Sequence, residues 1–130
     1  MKFISQHVDL QWIGPILEAT YKSGPKIDLA TAKTILRERL EFTQGKSVPV
    51  LVIDSGLVSM DKSARDFLSS NEGIRGIRAS ALISSSIVNS MLVNFVLKIS
   101  RPELPVKVFT KRDEALDWLQ TFTHAAESNH

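Results

Sequence analysis

The amino-acid sequence predicts an α/β protein: a mixed sheet that opens with an antiparallel hairpin, continues in mostly parallel strands, and carries about four helices packed on it. Three observations lead there. Two strand-like runs, "HVDLQWI" and "ILEATYK", face each other across Gly14-Pro15. The β-branched run "SVPVLVID" has the unbroken apolarity of a strand covered on both faces, as parallel strands are. Between the later strand-like runs lie stretches of helical periodicity bounded by capping and breaking residues, which gives the order β-β-α-β-α-β-α-β-α.

Each element has its own warrant. "SGPK" turns the chain out of the hairpin, and Asp28 is placed to cap a helix whose Leu29, Ala32, Ile35, Leu36, Leu40 and Phe42 share one face, until Gly45 stops it. After "SVPVLVID", Ser59 or Asp61 can cap a second helix with Met60, Ala64, Phe67 and Leu68 as its buried stripe, and "NEGIRG" breaks it. "IRASALIS" alternates as a strand. A third helix follows over about 86–99 and ends at "SRPELP", where Pro102 and Pro105 forbid continuation. "VKVF" is the last strand. Thr110 caps the final helix with Asp113 three residues on, as in a capping box, and Ala115, Leu116, Trp118, Leu119 and Phe122 form its inner face. No linker or repeat divides the chain, so 1–130 reads as one domain with a frayed tail from about 124.

A chain of 130 residues can bury about two thirds of its unfolded surface, enough for one self-sufficient core. With 43% hydrophobic and 23% charged residues it has the balance of an ordinary soluble domain. The formal net charge is +2, and acids are interspersed with the bases everywhere except "RGIR" at 75–78, which argues against a nucleic-acid-binding surface. The absence of cysteine excludes disulfides, thiolate metal sites and cysteine nucleophiles, and it fits a reducing cytoplasm. The amino terminus lacks the apolar run of a secretory signal.

From Ala79 to Leu97 there is no ionisable side chain, yet five serines and two asparagines argue against a membrane span, which needs about 20 predominantly apolar residues. On a helical wheel Val88, Met91, Leu92, Phe95, Val96 and Ile99 fall in one arc that suffices to dock on a sheet. Ser90, Asn94 and Lys98 lie opposite. Val93 and Leu97 form an additional apolar pair one turn apart, to be covered by a neighbouring helix, by a second copy in a homodimer, or by an apolar ligand.

Ligands of open parallel sheets meet the carboxyl ends of the strands. Two hydroxyl-rich loops leave such ends here: "DSGLVSMDKSA", with Asp54, Ser55, Ser59, Asp61 and Ser63, and "SSS", with Ser84, Ser85 and Ser86. Both lead into helix amino termini, where an anion or phosphoryl group would be favoured, although Asp and Ser also cap helices and make turns for purely structural reasons. His7, His124 and His130 have no metal-site or triad spacing, and "GIRGIR" lacks the pattern of a phosphate loop. No catalytic set, metal or cofactor is expected.

The runs "VLVIDSGLVSMDKSARDFL", "ALISSSIVNSMLVNFVLKI" and "VKVFTKRDEALDWL" resemble STAS-like (SpoIIAA-like) domains, the fold of bacterial anti-sigma factor antagonists, and most of all a short bacterial branch ending in an "EALDWL"-like helix. The likeness covers most of the chain from about residue 28. It implies a cytoplasmic, non-enzymatic module that regulates protein partners. In the signalling members a strand-end acid precedes Asp-Ser-Ser-Gly at a helix start, and a partner kinase phosphorylates the second serine. By this resemblance Asp54 corresponds to the strand-end acid, Asp61 to the second acid and Ser63 to the phosphorylated serine. The loop is one residue shorter here, Lys62 replaces the first serine and Ala64 the glycine. Related lipid-transfer domains share the layout, which implies the alternative of a small carrier for an acyl or isoprenoid ligand.

Overall fold

The structure is a computed structural model that describes residues 2–54, 58–84, 91–101 and 103–128, with side chains through residue 123. Among these, six strands and four helices follow the order β1 (Lys2–Ile4), β2 (Val8–Ile13), β3 (Ile16–Tyr21), α1 (Leu29–Thr43), β4 (Val48–Asp54), α2 (Lys62–Leu68), β5 (Ile77–Ile83), α3 (Met91–Lys98), β6 (Val106–Phe109) and α4 (Arg112–Ser128). The strands form one sheet in sequence order, β1-β2-β3-β4-β5-β6. β1, β2 and β3 are an antiparallel meander, and β3 to β6 run parallel.

The expected mixed α/β sheet is therefore the fold, with one strand more than the sequence predicts. β1 is three residues long on the outer edge, with Ile4 exposed, so "KFI" offers too little alternation to announce itself. It is held by pairing with Gln11, Leu10 and Asp9 of β2, a long-range partnership that local pattern does not contain. The hairpin between β2 and β3 is as tight as Gly14-Pro15 suggests: Ile13 pairs with Ile16, and Gly14 takes a positive φ of 58°.

Each parallel step moves the chain one strand along the sheet with the same hand of crossover, so the three connecting helices fall on one face. Ala32 and Ile35 of α1, Ala64 and Leu68 of α2, and Leu92 and Val96 of α3 share a core with Val50 and Val52 of β4. α4 covers the other face, where Ala115 and Leu119 meet Leu51, Ala79 and Ala81. β4 alternates between the two cores and is buried on both, which explains its continuous apolar run. Phe109, Trp118 and Phe122 pack ring to ring, at centroid distances of 5.8 and 4.8 Å, and fasten α4 to the edge strand.

The caps fall close to expectation. Asp28 accepts the Thr31 amide at 2.8 Å. Of the two candidates for α2, Asp61 is the cap, accepting the Ala64 amide at 2.9 Å. Met60 therefore precedes the helix instead of lying on its stripe; it is buried and bridges in parallel to Ile27. Gln44, in the left-handed region at φ 57°, ends α1 one residue before the predicted Gly45. α4 starts after Lys111, whose carbonyl accepts the Ala115 amide, so Thr110 lies one residue outside the cap expected of it. α4 is helical through Ser128.

Candidate functional site

The two loops singled out in the sequence do converge. β4 and β5 are parallel neighbours in register from Val50↔Ser80 to Ile53↔Ile83, so the next residues, Asp54 and Ser84, stand side by side at the carboxyl edge of the sheet. Both are buried, and the Ser84 hydroxyl donates to the Asp54 carboxylate at 3.1 Å. The pair joins the ends of two central strands from within. Ser55, Ser85, Ser86 and Val88 lie outside the described residues.

Past that edge the chain is laced to the other side of the first core. The Ile27 amide donates to the Ser59 carbonyl, and the Asp61 amide donates back to the Ile27 carbonyl, which sets the start of α2 beside the start of α1. The buried Met60 amide faces the Met91 sulfur at 3.1 Å and so ties the start of α3 to the same point. Arg65 reaches back to the Met60 carbonyl at 2.7 Å. Asp54, Ser59 and Asp61 thus have structural employment. Ser63 differs: it lies in the first turn of α2, exposed, and among the described residues its hydroxyl makes no hydrogen bond.

On α3, Leu92, Phe95, Val96 and Ile99 are buried as the wheel predicts, and Met91 is partly exposed at the helix start. Val93 and Leu97 do not share a surface. Val93 is 2% exposed and belongs to the chain's own core, whereas Leu97 is 51% exposed. The reason is position: Leu92, Val93, Phe95 and Val96 turn into the core, while Met91, Asn94, Leu97 and Lys98 form the exposed side of α3. An open groove runs between α2 and α3, lined by Arg65, Met91, Asn94, Phe95 and Lys98.

A second constellation escaped the sequence reading. Arg39 of α1 is 8% exposed, and its guanidinium donates to the Arg75 carbonyl at 2.7 Å and the Gly73 carbonyl at 2.9 Å. The signal was present: Arg39 stands seven residues after Ala32 and four after Ile35, on the buried stripe itself. "GIRGIR" is the counterpart. Gly73 lies so close to α2 that an added Cβ would sit 2.1 Å from the Phe67 carbonyl oxygen, and Gly76 has φ 84°. These glycines let the turn press against α2 and offer its carbonyls to Arg39. Burial pulls the Arg39 guanidinium below its usual range, the Tyr21 phenol opposes this and Arg75 adds to it; burial likewise pushes Tyr21 above its usual range.

Glu18, in the middle of β3, is a third buried charge missed in the strand pattern. It accepts from Gln11 of β2 and pairs with Arg112 at the start of α4, tying meander and final helix together. Among the described residues, no cluster of three or more metal-ligating side chains occurs, and no helix is long and apolar enough to cross a membrane.

These features define a small α/β fold with a mixed sheet, three helices on one face and a fourth on the other. The chain belongs to the family described as domain of unknown function DUF7793, whose model matches residues 11–123. No curated protein and no solved structure matches it.

Proposed function

We propose that the protein is a non-enzymatic, STAS-like interaction module of the cytoplasm that docks protein partners through the α2–α3 face and is regulated at Ser63. The observation that carries this reading is the contrast between the occupied polar groups and the free one. Asp54 and Ser84 are buried against each other, Asp61 is a helix cap, and Ser63 is exposed in the first turn of α2, two residues before Arg65, which lines a groove with Met91 and Lys98. A phosphate on Ser63 would place about two negative charges beside the first-turn amides of α2 and change what the groove presents. The exposed Leu97 supplies an apolar contact for a second copy or a partner.

The test is a comparative pull-down from the native host with wild type, Ser63→Ala and Ser63→Asp. A partner set that changes with the charge at this position supports the reading. Identical sets for the three proteins would refute regulation at Ser63.

A second reading, a carrier of an acyl or isoprenoid chain, is favoured by one observation. An apolar cavity borders α3 between Leu92, Phe95, Val96, Ile35 and Val52, with about 50 Å³ open to water-sized occupants. Pockets for drug-sized ligands run to roughly 300 Å³ or more, so this reading requires the helices to part on binding.

A further inference from the structure

The same cavity contains an electrostatic imbalance. Arg39 lines it, and beside burial the groups that act on its guanidinium are the Tyr21 phenol and, less strongly, a second cation, Arg75. Its recorded partners are the two backbone carbonyls, and among the described residues no carboxylate pairs with it. Buried charges are ordinarily paired, because an uncompensated ion in a low-dielectric interior is costly. Two further polar groups border the space, Tyr21 and the buried Ser80, whose hydroxyls make no hydrogen bond among the described residues. The rest of the wall is aliphatic or aromatic. A mostly apolar cavity with a few convergent polar groups is the usual form of a small-molecule site, and here those groups are one cation and two hydroxyls.

We propose that this cavity binds a short-chain carboxylate, with its carboxylate on Arg39, within reach of Tyr21 and Ser80, and its alkyl end against Leu92 and Val96. The space of about 50 Å³ sets the size. One water needs roughly 10 to 15 Å³ of such space, so the occupant has about four or five heavy atoms, as acetate and propionate have. A second void of about 10 Å³, bordered by Leu10, Ala19 and Glu38, lies against the same Tyr21, Ile35 and Arg39 side chains. This inference does not rest on the docking function proposed above, which concerns the outer face of α2 and α3.

The experiment is an NMR titration of the full chain, followed through the methyl groups of Val52, Leu92 and Val96, with propionate, with uncharged propionamide of similar shape, and with chloride at matched ionic strength. The expected result is saturable one-to-one binding of propionate at least about tenfold tighter than propionamide, the discrimination of one charge-assisted hydrogen bond. Val96→Phe, which fills the space and keeps Arg39, should abolish it. Arg39→Met should abolish it too if that variant folds. The proposal is overturned if propionate gives no saturable shifts, if propionamide or chloride acts equally, or if binding survives Val96→Phe. Failure here would leave the Ser63 pull-down unaffected.

Discussion

Gly73 and Tyr21 show how single positions in this chain are constrained by what lies against them. A Cβ at Gly73 would meet the Phe67 carbonyl oxygen at 2.1 Å and the Leu68 Cα at 2.6 Å, both backbone atoms that cannot swing aside. Gly73→Ala should therefore destabilise the fold by about 3 kcal/mol or more, read from the urea midpoint, whereas Gly24→Ala, with open space around it, should change the midpoint little. Tyr21 is the only tyrosine, so tyrosinate absorbance reports it alone. Its phenol is raised above 10.0 chiefly by burial. A group raised in the folded state contributes stability that is complete below the unfolded value and is lost as pH rises past it. Tyrosinate should accordingly appear only above 10.0 and together with unfolding followed by circular dichroism. Ionisation at the free-chain value with the fold intact would contradict its burial.

At the scale of elements, α3 is the instructive case. Its apolar residues cover more than one face, with Leu92, Val93, Phe95 and Val96 all in the core, and the periodicity alone could not apportion them. Val93 faces its own core and Leu97 faces water. Val93→Asp would bury a carboxylate among apolar groups and should abolish cooperative folding. Leu97→Asp should change stability by no more than about 0.5 kcal/mol. If a second copy covers Leu97, sedimentation should show a dimer for wild type and a monomer for Leu97→Asp at the same concentration. A monomer in both would remove self-association from the proposed function. The meander makes a complementary point: β2 and β3 were readable from alternation and the Gly14-Pro15 turn, but β1 exists because Phe3 and Ile4 find Leu10 and Asp9.

Across the whole molecule, buried charge marks where distant segments were joined. Glu18 links β3 to Gln11 on β2 and to Arg112 at the head of α4, and Arg39 links α1 to the 73–75 carbonyls. Removing Arg39 takes two charge-assisted hydrogen bonds from an interior where water cannot replace them. Arg39→Ala should lower stability by about 3 kcal/mol in urea unfolding.

The sequence by itself determined the class of the fold, the order of the later strands and helices, and the cap at Asp28, and it narrowed the cap of α2 to Ser59 or Asp61, because hydrophobic period and capping chemistry are local properties of a few neighbouring residues. It also placed Asp54 at a strand end and Ser84 in the loop that leaves the next strand. Only the tertiary structure decided that these two touch, that Val93 and Leu97 part company, that Arg39 and Glu18 are buried, and that an apolar cavity lies beside Arg39. Each of those outcomes depends on which segments pack together across long stretches of chain. Burial and electrostatic pairing are set by that packing, and no short window of sequence contains it.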